Sequence, residues 1–135
     1  MSEIRKVGVC GAGLMGNGIA QTCASAGFDV VLMEVADAPL QRGMQSITKS
    51  LDKFVEKQKL ALADRDAILG RITPTTDVKD LKDCDLVIEA IVENMDAKLK
   101  LFKALDDLLA PHALICSNTS SLCVIEIGRR NQAPR

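Results

Sequence analysis

Aromatic side chains are almost missing from this chain of 135 residues. It has no Trp, no Tyr and three Phe, so aromatics make up 2% of it. The core must be aliphatic, and the 47% hydrophobic content supplies it. There is one histidine, His112, and no C-x-x-C pair, so no metal-ligand spacing exists and no metal is expected. His112 follows Pro111 in a break between a helix and a strand and reads as a surface loop residue. Excess charge of either sign is lacking too. With 17 basic and 18 acidic residues the net charge is −1, which gives no electrostatic footprint for nucleic acid. No stretch approaches the ~18–20 apolar residues of a membrane span. Met1 to Lys6 run into a strand without an apolar signal region. The five cysteines (Cys10, Cys23, Cys84, Cys116 and Cys123) each fall in an apolar stretch. Odd in number, they read as reduced, mostly buried thiols, and a cytoplasmic protein is expected.

What is present is an alternation of short apolar runs and helical stretches. Val7 to Cys10, Val30 to Met33 and Leu86 to Ile91 are continuously apolar, as in a parallel sheet covered on both faces. Ala113 to Cys116 is a fourth strand candidate, and a weaker one lies near Arg71 to Thr73. Leu14 to Ala26, closed by Gly27, reads as a helix. So does the stretch from about Met95 to Ala110, with Leu101, Phe102, Leu105 and Leu108 on one stripe. Strands alternating with helices predict an α/β domain with a doubly wound parallel sheet, spanning residues 1–135. The connection from Val35 to Arg71 exceeds the dozen or so residues of a simple crossover. Ile47, Leu51, Phe54 and Val55 keep helical spacing within it, and Asp64 is placed to cap a short helix ending at Gly70. A helical pair over about 37–71 that leaves the sheet and returns is therefore expected.

The first strand runs directly into Gly11-Ala12-Gly13-Leu14-Met15-Gly16, and a helix follows. This is the strand–turn–helix context of a dinucleotide fingerprint. Gly11 permits the tight turn, Gly13 clears the approach of a pyrophosphate, and Gly16 lets the helix pack closely. The helix N-terminus, with Leu14 and Met15 in its first turn, faces the phosphates. Glu34 ends the second strand, close to the ~20-residue offset at which an acid accepts hydrogen bonds from the adenosine ribose. A 2′-phosphate there would meet like charge, so NAD is favoured over NADP. A flavoprotein domain shares the glycines and a Glu and remains a weaker reading. Lys49, Lys53 and Lys57 recur on one helix face, as solvated charge or as a phosphate contact.

Three segments together resemble the 3-hydroxyacyl-CoA dehydrogenase family. They are Gly11 to Gly16, the run Asp85-Leu86-Val87-Ile88-Glu89-Ala90-Ile91-Val92-Glu93-Asn94, and Ser117-Asn118-Thr119-Ser120-Ser121-Leu122. The resemblance implies a Rossmann-type amino-terminal domain that binds NAD. In the family an all-helical carboxy-terminal domain completes the active site and forms the homodimer. It further implies that Glu34 is the ribose acid, that Ala90, Glu93 and Lys98 line the cofactor, and that Asn118 and Ser120 follow the fifth strand. Ser120 takes the role of the hydroxyl that hydrogen-bonds the substrate's 3-oxygen. Ser50 and Lys57 match positions that contact the acyl-CoA substrate. The family's general base, a histidine in an H-F-F-N-P segment, and the glutamate that orients it have no counterpart in these residues. The implied reaction interconverts (S)-3-hydroxyacyl-CoA and 3-oxoacyl-CoA in fatty-acid and butanoate metabolism. The 135 residues alone are expected to be inactive, as part of a longer chain. The alternative is a stand-alone NAD-binding module without catalysis.

Overall fold

The computed structural model describes residues 4–90, 95–109 and 113–117. Strand β1 (Lys6–Cys10) leads through the glycine turn into helix α1 (Leu14–Ser25). Strand β2 (Asp29–Met33), helices α2 (Asp37–Glu56) and α3 (Leu62–Gly70) and strand β3 (Ile72–Thr75) follow. A 3-10 turn (Val78–Leu81), strand β4 (Leu86–Glu89), helix α4 (Met95–Leu108) and strand β5 (Leu114–Ser117) complete the described elements. All four strand pairs are parallel, in the order β3-β2-β1-β4-β5. The order reverses between β1 and β4, and at such a switch point the carboxyl ends of the strands open a crevice for ligand.

Apolar residues on both faces of the strands sort into two cores. On one face Val7, Val9, Val30 and Leu32 meet Ala20 and Ala24 of α1, Leu40, Ile47 and Leu51 of α2, and Ile68 of α3. On the other, Cys10, Val31, Met33, Val87 and Ile115 meet Leu81, Cys84 and Leu105. Alanines at Ala20 and Ala24, both fully buried, let α1 lie close to the sheet. Polar groups fix the ends of the strands. The Asp85 carboxylate accepts from the backbone N–H of Arg5 at 2.9 Å and of Lys6 at 3.1 Å, which ties the start of β1 to β4. Arg71 donates to the carbonyl of Ala24 at 2.8 Å, which also accepts the N–H of Gly27, so the side chain ties the end of α1 to the start of β3.

Several boundaries differ from the expectation. The weak strand near Arg71 is real, and it holds Pro74 opposite Leu32 of β2. A proline is tolerated there because β3 pairs on one side only among the described residues. Strand β4 stops at Glu89, so Ala90 lies just past it and Ile91 lies outside the described residues. Asp64 does not cap α3. Ala61 holds the N-cap position, and Asp64 sits in the first turn, where its charge favours the helix dipole. The helical pair does not leave the sheet at its base, because Leu40, Ile47, Leu51 and Ile68 are buried in the first core; farther along α2, Phe54 is exposed.

Helices α1 and α2 both end in a Schellman motif. In α1, Gly27 at φ +100° donates to Ala24 at 3.1 Å and Phe28 donates to Cys23 at 3.1 Å. In α2, Gln58 at φ +60° donates to Val55 at 2.9 Å and Lys59 donates to Phe54 at 2.8 Å. The geometry is shared, but only Gly27 has a side chain suited to it. A non-glycine residue in the left-handed region costs about 1–2 kcal/mol, and glycine forfeits part of the relief in the unfolded chain. Gln58→Gly should therefore raise the unfolding free energy by about 0.5–1 kcal/mol, and Gly27→Ala should lower it by about 1 kcal/mol. Urea unfolding at unchanged m-value measures both.

Candidate functional site: the glycine turn and its acid

The turn after β1 is held in place by backbone hydrogen bonds. Gly11 sits at φ +105°, and its N–H donates to the carbonyl of Met33 in β2 at 2.7 Å. Ala90 donates to the carbonyl of Cys10 at 2.8 Å, which fixes the end of β4 alongside. Helix α1 then starts directly above the turn. A Cβ at Gly16 would lie 1.7 Å from the carbonyl oxygen of Gly11, so no side chain fits between helix and turn. The expectation for Gly16 is refined here: the close partner is the turn itself rather than the strand. Gly13 differs, because a Cβ there meets nothing within 4 Å. It is the N-cap of α1 and offers no side-chain cap, and no acidic residue occupies the first turn. The N–H groups at the head of α1 therefore face open space with their positive dipole end uncompensated. Leu14 is 90% exposed and Met15 58%, so both flank this opening.

Glu34 lies just past β2, and its carboxylate is already engaged. Ala12 donates to Oε2 at 2.9 Å, and Val35 donates to Oε1 at 3.0 Å. The acid thus links the end of β2 to the turn. A carboxylate has about four acceptor sites, so both oxygens can still receive hydroxyl donors. Beyond the strand ends, on the α4 side, a cleft of about 530 Å³ is lined by Met33, Val35, Val78, Leu101 and Ala104 among others. Met33 and Val35 flank Glu34 in the chain, which puts an apolar recess beside the acid.

The remaining expected residues divide. Ala90 lies at the turn, 3.7 Å from where a Cβ on Gly16 would stand. Lys98 is in α4. Glu93, Asn118 and Ser120 lie outside the described residues, as do His112 and Cys123. Ser50 does not face outward: its hydroxyl accepts from Gln21 of α1 at 2.9 Å and helps join the two helices. Lys57 is the exposed C-cap residue of α2. Ser50 and Lys57 therefore differ in environment, although heptad spacing put them on nearly one face. Cys10 and Cys84 are buried and Cys23 is half-buried, as expected of inert thiols. Burial, then the charges at Cys84, Glu89 and Glu34, pushes the Cys10 thiol far above its usual range. Burial pushes Cys84 up to about 11 despite the opposing charge of Lys6. Burial raises Cys23 as well. None of the three is a thiolate near neutrality.

One site residue escaped sequence reasoning. Gly43 lies inside α2, where a Cβ would come within 2.6 Å of the Ala12 carbonyl oxygen and 2.8 Å of its Cβ. Helix α2 thus presses on the glycine turn from the side opposite β4. The available signal was an isolated glycine in a helical pattern, which usually has a packing reason.

A family model described as the 3-hydroxyacyl-CoA dehydrogenase NAD-binding domain matches residues 6–135. The chain belongs to that family. A probable 3-hydroxybutyryl-CoA dehydrogenase of Deinococcus radiodurans is 48% identical over 129 residues, covering 96% of this chain and 46% of that protein. Among solved structures, an (S)-3-hydroxybutyryl-CoA dehydrogenase from Ralstonia eutropha is 47% identical with a TM-score of 0.84, covering 89% of this chain and 42% of that one. The 3-hydroxybutyryl-CoA dehydrogenase of Escherichia coli K12 is 36% identical with a TM-score of 0.86, covering 93% of this chain and 27% of that one. The chain spans about half the length of the curated relatives it matches. As the amino-terminal domain of this family it binds NAD, and the turn fits that cofactor. The space above Gly13, the bare helix N-terminus and the acid at Glu34 suit a pyrophosphate and a ribose diol.

The two glycines should therefore fail differently. Gly13→Ala should leave the unfolding free energy within about 0.5 kcal/mol and weaken NADH binding, because its methyl enters only the space a phosphate needs. Gly16→Ala should destabilise the fold by about 3 kcal/mol or more, since the turn itself must move. Paired urea unfolding and calorimetric titration with NADH separate the two. Equal stability losses would show that the turn, not the ligand, demands glycine at Gly13.

Proposed function

We propose that this chain is the cofactor half of an NAD-dependent enzyme that interconverts (S)-3-hydroxyacyl-CoA and 3-oxoacyl-CoA. The reading rests on one observation above others: Glu34 is tied by a hydrogen bond of 2.9 Å to Ala12 in the glycine turn, directly before a helix N-terminus without a side-chain cap, in a chain whose relatives are named for that reaction. Bound NAD supplies the acceptor for hydride at the carbon bearing the 3-hydroxyl. The N–H groups after Gly13 bind the pyrophosphate. Glu34 accepts from the ribose hydroxyls while keeping its two backbone donors, and the adenine enters the recess beside Met33 and Val35. Ala90, Glu93, Lys98 and Asn118 are the further residues that would contact the cofactor, as the family resemblance implies. Ser120 donates to the substrate's 3-oxygen, and Lys57 meets the CoA moiety.

Oxidation of an alcohol also requires an acceptor for the hydroxyl proton. Nothing in the described residues offers one, since the three thiols discussed are held protonated by burial. We assign that role to a histidine–glutamate pair of the kind the family carries beyond the region matched here. The longer protein would act as a cytoplasmic homodimer.

Two measurements test the reading. Glu34→Ala should weaken NADH binding about ten- to hundredfold, equivalent to about 1.5–3 kcal/mol for hydrogen bonds to a charged group. The intact chain should prefer NADH to NADPH. Equal or tighter NADPH binding would remove Glu34 from the ribose. The second is reduction of acetoacetyl-CoA, followed by NADH absorbance. The 135-residue chain should turn over at least about a hundredfold more slowly than a chain of the relatives' length, the usual contribution of a general base. Comparable rates in the two would place the proton acceptor inside these residues.

A further inference from the structure

The sheet is sealed unevenly. Val7 to Cys10 of β1 and Val30 to Met33 of β2 are buried on both faces. On β4 and β5 the α4 side is shut, with Val87 and Ile115 buried. The opposite side is not. Leu86 and Ile88 stand in register with Val7 and Val9, and Leu114 and Cys116 stand in register with Leu86 and Ile88. All four therefore turn to the side on which α1 lies, and all four are only half-buried. Helix α1 packs over β1 and β2 beside this strip. Gln21 joins α1 to α2 through Ser50, and the flank turned away from α2 holds an apolar groove of about 570 Å³. Leu14, Met15, Gly18, Ile19 and Cys23 are among its lining residues.

We infer that this bay, the outer flank of α1 with the strip of β4 and β5 beside it, is the docking surface for an uncharged helix supplied by the half of the relatives that this chain does not match. Charge argues for a buried surface. Helix α1 has no charged residue among its 12, whereas α2, α3 and α4 each carry at least three. A helix without a charged face is a covered one, and parallel sheets are covered by helices on both faces. Extending the sheet does not fill the bay. A right-handed crossover outward from β5 lays its helix on the α4 side, as the crossover from β4 to β5 does. Gly18 stands in the groove with open space where its Cβ would be, so another backbone can come close. Size decides between a tethered partner and a free one. With a 12-residue helix about 18 Å long and two strands beside it, the bay offers on the order of 400 Å². That is half of the roughly 800 Å² per partner in a stable free complex, but it suits an interface between domains of one chain. The occupant rests on the reading of this chain as half of a longer enzyme; the open side of β4 and β5 does not.

The test is labelling with N-ethylmaleimide, resolved by cysteine with peptide mass spectrometry. Cys23 lines the groove, and Cys10 and Cys84, buried in the second core, are slow references. At micromolar protein, Cys23 of the 135-residue chain should label about tenfold or more faster than Cys23 of a chain of the relatives' length. Gly18→Glu should abolish the protection in the longer chain. In the 135-residue chain the same change should leave the midpoint of urea unfolding unchanged or raised, because it enters open space and replaces a helical glycine. Equal labelling in the two lengths would overturn the proposal, whether fast with the bay open or slow with the 135 residues closing it themselves. Protection that survives Gly18→Glu would overturn it too, since the shield would then lie off the groove. Dimerisation of the 135-residue chain that Gly18→Glu removes, beside a longer chain with reactive Cys23, would make a second copy the occupant instead. A longer chain that shields Cys23 but does not reduce acetoacetyl-CoA would keep the surface and remove the dehydrogenase reading. One that turns over with Cys23 reactive would do the reverse.

Discussion

The contact between Gly16 and the carbonyl of Gly11 is the constraint on which the site depends. A Cβ on Gly16 would lie 1.7 Å from that oxygen, so helix α1 can start where it does only because its third residue has no side chain. That start point aims the unpaired N–H groups of the first turn at the switch point between β1 and β4. It also lets Ala20 and Ala24 settle fully onto the sheet, since a helix lifted by a side chain at its head would leave voids below them. Binding geometry and core packing thus share one requirement.

Around that contact the turn is clamped from three sides. Met33 accepts from Gly11 on the β2 side, Ala90 donates to Cys10 on the β4 side, and Gly43 brings α2 against Ala12. Glu34 adds a charged clamp, receiving the N–H of Ala12. Hydrogen bonds to two backbone donors set the rotamer of this solvent-edge carboxylate before any ligand is present. The clamps come from the strands on both sides and from α2, so the cradle needs the sheet and α2 as well as the glycines of the turn.

The buried thiols show the other side of an aliphatic, nearly aromatic-free interior. Cys10 and Cys84 fill space in the second core between Val31, Val87 and Leu81, and desolvation keeps them protonated. A thiol one residue from the glycine turn is thereby chemically silent, which suits a domain whose task is to hold a cofactor.

The sequence by itself determined the parallel α/β alternation, the glycine turn and the acid that ends the second strand, because each depends on local rules of period and turn chemistry. Apolar runs without alternation announced strands buried on both faces, and β1, β2 and β4 lie where those runs lie. What only the tertiary structure decided depends on which surfaces meet. Asp64 had the residue type of a cap, but the chain turns at Ala61 and leaves it in the first turn. Gln58 adopts a conformation usually reserved for glycine, closing α2 with the Schellman pair of hydrogen bonds. Ser50 shared a helix face with Lys57 by spacing, yet α1 lies over one and not the other. Gly43 drew no attention in the sequence, yet a Cβ there would come within 2.6 Å of the Ala12 carbonyl oxygen. Periodicity reports the face a residue turns inward, and only packing reports what waits there.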